Sequence, residues 1–506
     1  MAAVDLPDLS ILSTSPNGAD STPRRSNTPA PPPRLRLEDQ HFCVLGGGTG
    51  CNAVLGAFAG SMVSYCLPVS DDGGSSSEIQ RVLGGPALGD IRSRLIRLIP
   101  PTPAGSPLDC IRRLLEYRLP GGEGTSHSAV KQEWGDIVEG THRLWRGIPG
   151  DRKETIRSFL VYLQNAILKK AQRGFNFKKA SIGNLFLSGA SLFLGSVPSA
   201  IFLFVSVTGI SQDSIRVIPV INTSSTVTIA AELEDGSIIA GQSEISHPSG
   251  PDNALSTKET IGGAGLRAEA VFPLTRATTP SFPEPPVLGA EEDEDHAPLP
   301  LSPEFTLSVS PDADIISPSP LSPIATRSRN LEFTKDASAI PPLPSRIRRI
   351  FYLSTHGLEI HPRPNSTFLQ PLRDASILVY APGSLYTSII PCLALKPVGE
   401  LVAQGNIAKK VLLLNAMDDR ETPEYDAVDY VWALAETCGR SFSDGQRQCE
   451  PKDVVTHLVY LRNGKVKVDE DALRSLDIQP VAVGPTQDGL FNDEVVKEAL
   501  ARIMAA

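Results

Sequence analysis

Cysteine is sparse and unpaired: the seven residues, at positions 43, 51, 66, 110, 392, 438 and 449, never fall in a Cys-x-x-Cys pair. An odd, scattered set excludes a disulfide frame and a thiolate zinc site, and is the usage of a reducing compartment. The eight histidines lack metal-ligand spacing. No Gly-Lys-Ser/Thr is present, which excludes the phosphate loop of the nucleoside triphosphatases. No Gly-x-Ser-x-Gly elbow or Cys/His pair marks a nucleophile. Asp5 and Asp8 stand where a leader would carry its apolar run, so a cytoplasmic protein is expected. Long apolar runs are scarce. The charge-free stretch 180–212 is broken by Gly183-Asn184, Gly189, Gly195 and Pro198. A membrane span needs about 20 continuous apolar residues, so the stretch reads as a buried helix over 181–194 and a buried strand over 200–207, with no membrane partner. A net charge of -10 argues against nucleic acid as the main partner.

What is there suffices for a large core, with 506 residues of which 41% are hydrophobic. Residues 1–38 are rich in Ser, Pro and Arg and lack periodicity, which predicts a disordered tail. Proline and serine dominate again over 247–345, with an acidic run at 291–295, which predicts a long disordered insertion. The parts on either side, 39–246 and 346–506, read as two halves of one domain. Apolar runs at 41–45, 62–69, 217–221, 350–353, 376–380, 410–414 and 457–461 alternate with amphipathic segments. That alternation predicts an α/β fold, a doubly wound, Rossmann-like and mostly parallel sheet. Glu234-Asp235-Gly236 joins two further short strands as a hairpin. Residues 108–119, 130–148 and 151–173 read as helices, the last two forming a helical insertion over about 127–175.

Chemistry concentrates after the first two strands. Gly46-Gly47-Gly48-Thr49-Gly50 follows the first, and Gly48-x-Gly50-x-x-Ala53 matches a dinucleotide fingerprint, with Asp71 where a ribose-binding acid would stand. A tight strand-to-helix turn explains those glycines equally well. After the second strand come Asp71-Asp72-Gly73-Gly74-Ser75-Ser76. Backbone N–H groups of Gly73–Ser76 at a helix start form an anion nest, and Ser75-x-x-Glu78 has the spacing of a capping box. Two carboxylates beside a phosphate call for a bridging divalent cation, typically magnesium. Asp90 adds a third carboxylate and Arg92 a fork for a phosphate or carboxylate, although helix capping also accounts for Asp72 and Asp90. A double aspartate does not suit a nicotinamide dehydrogenase. Later, Gly183-Asn184 opens a helix. Pro382-Gly383-Ser384-Leu385-Tyr386-Thr387-Ser388 is a second phosphate-friendly helix start, and Asn415 ends a strand. Tyr386 offers a ring for stacking on a base or sugar, or is a half-buried tyrosine.

The ordered set Gly46–Gly50, Asp71–Ser76, Gly89-Asp90-Ile91-Arg92, Gly183-Asn184-Leu185-Phe186, Ala231–Gly236, Pro382–Pro391 and Asn415, then Thr422, Tyr425 and Asp429, resembles the bacterial gluconeogenesis factor family (YvcK-like). That family lies within the 2-phospho-L-lactate transferase (CofD-like) superfamily. The resemblance implies a Rossmann-like core that binds a nucleotide sugar or related nucleoside diphosphate and regulates carbon metabolism. The transferase branch implies the alternative, a magnesium-dependent transfer of a phospholactyl-type group, with Asp72 and Asp90 as catalytic and metal-binding residues. The resemblance as a whole also implies that Gly47, Gly48, Thr49 and Gly50 hold a diphosphate, that Asn184, Tyr386 and Asn415 line the ligand with Gly383, Ser384 and Thr387, and that the protein is a homodimer. The Asp-Asp-Gly-Gly-Ser-Ser pattern is that of the factor branch. The segments 127–175 and 247–345 look like eukaryotic elaborations.

Overall fold

The computed structural model describes residues 36–122, 124–246 and 342–505. The expected disordered tail and insertion lie almost wholly outside the described residues. The chain begins with β1 (His41–Leu45) and β2 (Met62–Leu67), separated by the short helix α1 (Thr49–Asn52) and a 3-10 turn over Leu55–Phe58. Helices α2 (Gly74–Leu83), α3 (Gly89–Leu98), α4 (Pro107–Glu116), α5 (His127–Glu139), α6 (Gly150–Lys169), α7 (Ile182–Leu194) and α8 (Val197–Thr208) precede β3 (Ile215–Pro219). Strands β4 (Thr228–Leu233), β5 (Ile238–Ala240), β6 (Ile347–Leu353) and β7 (Glu359–Ile360) form a separate antiparallel sheet, with helix α9 (Gln242–Ser246) after β5. Strands β8 (Ile377–Tyr380), β9 (Lys409–Leu413), β10 (His457–Leu461) and β11 (Gln479–Val483) complete the first sheet.

That first sheet has seven strands, all parallel, in the order β11-β10-β9-β8-β1-β2-β3. Phe42, Cys43, Val44 and Leu45 are at most 1% exposed. Continuous apolar runs of this kind belong to strands covered on both faces, which is why the sheet is legible from sequence. The chain moves outward from β1 through β2 to β3, then returns on the other side of β1 as β8. The strand order therefore reverses between β1 and β8, where open α/β sheets bind ligands at their carboxyl edge.

Four local expectations are corrected. Residues 200–207 are helical, within α8. Ser196 caps that helix by accepting from the Ser199 N–H, Pro198 sits in its first turn, and Gly209 closes it at φ +69°. An apolar run of that length has no period that separates strand from helix, and the caps decide. The helix expected over 130–148 ends at Glu139, because Gly140 takes the left-handed conformation at φ +82°. The capping box at Ser75 does not form: α2 starts after Gly73, Ser75 lies inside it, and Glu78 pairs with Arg81 at 2.6 Å. The edge strand β11 was missed, since Pro480 reads as a breaker and is tolerated only at an edge. Helices α7 and α8 are 13 and 12 residues long and turn at Gly195-Ser196. Among the described residues no single helix is long and apolar enough to cross a membrane.

Candidate functional site

The loops after β8, β1 and β2 meet at the carboxyl edge. A Cβ on Gly50 would stand 2.4 Å from the Pro382 carbonyl oxygen, and one on Gly48 would stand 2.3 Å from Asp90 Oδ1. These glycines are required because the next loop and a carboxylate approach the backbone itself. Gly50→Ala should therefore push the two loops apart and lower stability by about 2 kcal/mol, read as a fall in the midpoint of chemical denaturation. Beneath the turn lies Arg94, fully buried, which donates to the Gly47 carbonyl and to Cys51 Sγ, each at 2.8 Å. Its guanidinium stacks 4.8 Å over the Tyr65 ring.

The double aspartate splits between two tasks. Asp71 turns inward: Oδ1 accepts from the Gly73 N–H at 3.0 Å and Oδ2 from the Ser76 hydroxyl at 3.2 Å. Its Oδ2 lies at the start of α3, 2.2 Å from where a Cβ on Gly89 would be. That places it beside Asp90, which accepts from the Gly48 N–H. Burial, and then repulsion from Asp90, push the Asp71 carboxyl up to about 7. Burial also raises Asp90, against the pull of Arg94. Asp72 turns the other way, and its Oδ1 accepts from both the N–H and the hydroxyl of Ser243 in α9 at 2.7 Å. The expected pairing of Asp72 with Asp90 is thus corrected: Asp71 is the acid that faces Asp90, and Asp72 ties the second sheet to the first. Adjacent residues in an extended loop point to opposite sides, and sequence does not say which side is which.

The remaining expected residues divide similarly. The nest at Gly73–Ser76 has two of its donors taken, Gly73 by Asp71 and Ser76 by the Gly73 carbonyl. Asn184, 1% exposed, donates to the hydroxyls of Ser75 and Ser76 at 3.0 and 3.3 Å, so α7 is tied to the loop after β2. Arg92 comes beside the same cluster, held down to about 10 by burial and by Arg118. Asn415 accepts from the Gly383 N–H at 2.9 Å and so fixes the loop after β8. Ser384 precedes the wide turn Leu385–Ile389 and is half-buried. The Tyr386 ring is directed into the core: the residue is 5% exposed and its hydroxyl pairs with the Tyr425 hydroxyl and the Ile347 carbonyl.

The helix start at Tyr386-Thr387 is occupied by a carboxyl group of the protein's own. Glu421 Oε2 accepts from the N–H groups of Tyr386 and Thr387 at 2.9 and 3.1 Å, and Oε1 accepts from the Thr387 hydroxyl at 2.6 Å. Burial, then Asp419, push Glu421 up to about 8. The phosphate-friendly start seen in the sequence is thereby filled, and Thr387 with it.

The model of the 2-phospho-L-lactate transferase CofD family matches residues 42–484, which runs from β1 past the end of β11. The chain belongs to the CofD family. A Saccharomyces cerevisiae member, an uncharacterized protein, is 35% identical over 473 residues, covering 90% of this chain and 97% of its own length. The two chains thus share nearly their full span, which fits an elaborated eukaryotic form. The gluconeogenesis factor of Bacillus subtilis is 39% identical over 108 residues, covering 21% of this chain and 32% of that protein. A crystal structure of a Bacillus halodurans protein of the UPF0052 family shares the fold at 18% identity with a TM-score of 0.52, covering 91% of this chain and 99% of that one.

Three residues of this CofD-family site escaped the sequence reading. Arg94 carried no signal, because a lone arginine on a helix reads as surface. Arg118 enters from the end of α4, far from any glycine loop. Glu421 sits in Asp418-Asp419-Arg420-Glu421, which reads as an exposed charged run; its position at the carboxyl end of β9 was the available clue.

Proposed function

We propose that this CofD-family protein binds a nucleoside diphosphate ligand, such as a nucleotide sugar, at the carboxyl edge of β8, β1 and β2, with a magnesium ion on Asp71 and Asp90. The observation that carries this reading is the pair of neighbouring acids, Asp71 and Asp90, set against the first glycine turn. Two half-buried carboxylates repel each other, and that repulsion adds to burial in raising Asp71. A cation removes that repulsion. Among the described residues no three metal-ligating side chains cluster. That suits magnesium, which takes one or two carboxylates and completes its shell with ligand phosphates and water. When bound, the ion supplies positive charge for the diphosphate. Arg94 fixes the Gly47 carbonyl, and Asn184 orients the hydroxyls of Ser75 and Ser76.

The reading is of a binding protein that senses a nucleotide sugar and regulates carbon metabolism, as the names of the bacterial gluconeogenesis factors suggest for those proteins. A second reading, transfer of a phosphorus-containing group, is favoured by the carboxylate pair, because a metal at that place also neutralises charge that develops on a transferring phosphate. Isothermal titration of the full chain with UDP-glucose should give saturable heat in magnesium and none in EDTA. Absence of heat under both conditions would remove the nucleotide-sugar reading. Release of a nucleoside monophosphate from a nucleoside diphosphate donor would move the balance to transfer.

A further inference from the structure

The start of α7 carries polar groups that nothing among the described residues satisfies. Ser181 precedes this 13-residue helix and makes no side-chain cap bond. Its hydroxyl is fully buried and has no partner among the described residues. The amide oxygen of Asn184, in the first turn, is buried and equally unpartnered, while its amide nitrogen holds Ser75 and Ser76. The Ile182 N–H reaches the Tyr117 carbonyl and the Leu185 N–H the Ser181 carbonyl. Between them, the N–H groups of Gly183 and Asn184 have no acceptor among the described residues.

Arginine lies directly over this corner. The Arg92 stem passes 3.3 Å from where a Cβ on Gly183 would stand, and its buried Nε has no partner. Arg118, exposed at the rim, reaches the Lys179 carbonyl at 3.4 Å. The charges that act on Arg92 are Arg118, Asp71, Asp90 and Glu116. Among the described residues neither arginine closes an ion pair with any of those acids. A largely buried guanidinium without a counter-ion, next to free N–H donors, is a place built for an anion.

We infer that Arg92, Arg118, the Ser181 hydroxyl and the N–H groups of Gly183 and Asn184 form a second anion subsite, distinct from the Asp71–Asp90 pair, that takes a phosphate or carboxylate group. Its natural ligand then has two separated anionic parts: a diphosphate at the acid pair, and an anionic group on the sugar or other remote portion. The subsite rests on the ligand reading above only for which molecule brings that second anion. A neutral sugar would leave Arg92 unpaired.

The test uses the full chain in EDTA, so that no metal holds the probe. Rising inorganic phosphate, against sodium chloride of matched ionic strength, should raise the melting temperature saturably. Arg92→Met should weaken that response about tenfold or more, since it removes the charge-assisted donors while keeping the stem. Arg118→Met, at the rim, should weaken it less. In magnesium, UDP-glucuronate should bind the parent more tightly than UDP-glucose, and Arg92→Met should abolish the difference. A parent without saturable response, or an Arg92→Met chain that responds like the parent, overturns the subsite. If phosphate binds with this dependence but neither UDP-sugar does, the subsite stands and the nucleotide-sugar reading falls. The glucuronate arm separates a carboxylate from a phosphate as the group preferred.

Discussion

Asp90→Asn should weaken magnesium-dependent ligand binding about 100-fold while making the metal-free protein more stable at pH 8. The two effects have one cause. Asp71 and Asp90 lie close together where burial desolvates both, and Asp71 is pushed up to about 7 in the folded chain from an ordinary 3.8. A carboxyl raised in this way contributes stability that is complete below its unfolded value and is lost as pH rises through about 7. The metal-free fold should therefore melt at a higher temperature at pH 5 than at pH 8. Replacing one acid by an amide removes the repulsion, flattens this slope and raises the melting temperature at pH 8 by about 2–4 °C for each kcal/mol regained. It also removes one of the two proposed metal ligands. Affinity for UDP-glucose in magnesium should fall about 100-fold, the equivalent of about 2.8 kcal/mol. Asp71→Asn should behave alike. Asp72→Asn should differ, because Asp72 answers to Ser243: it should leave the magnesium dependence intact. Calorimetry on the three variants separates these outcomes. An Asp90→Asn chain that binds with unchanged magnesium dependence would remove the metal from this pair.

Glu421→Ala should cost about 3 kcal/mol, because it strands two backbone N–H groups and a threonine hydroxyl in the core. Glu421 is 1% exposed and supplies the acceptors for Tyr386 and Thr387. Loss of that bond set would also loosen the turn whose neighbour, Pro382, abuts Gly50. Glu421→Gln should be mild. One amide oxygen still accepts from both N–H groups, and the Thr387 hydroxyl can reverse to accept from the amide nitrogen. The two variants separate charge from hydrogen bonding. With Glu421 raised to about 8 from 4.5, its stabilising contribution is complete below pH 4.5 and declines as pH rises to about 8. The parent should lose melting temperature over that range, and Glu421→Gln should lose less. Magnesium should restore the part that belongs to Asp71 and Asp90 and leave the Glu421 part. A Glu421→Ala chain as stable as the parent would show that the turn is held by other means.

Much of this was legible in the chain. The strands β1, β2, β8, β9 and β10 are buried on both faces, so their apolar runs announce a parallel sheet without help from period. The glycine turns follow those strands directly, and each was found. Periodicity failed where burial is one-sided and the run is short, as in α8, and where proline sits at an edge, as in β11. At the site, the residue types were readable and their partners were not. Asp71, Asp72 and Asp90 stood out together, yet which acid faces Asp90 depends on the direction of one side chain in a loop.

The sequence by itself determined the α/β class, the carboxyl edge and the acids that sit there, because local spacing and strand burial leave those few choices. Tertiary structure alone decided that Asp71 rather than Asp72 opposes Asp90, that Glu421 fills the Thr387 turn, and that Arg92 meets the start of α7 with no ion pair among the described residues. Each of those contacts joins segments tens to hundreds of residues apart or turns on the aim of a single carboxylate, and neither is written in the period or spacing of a chain.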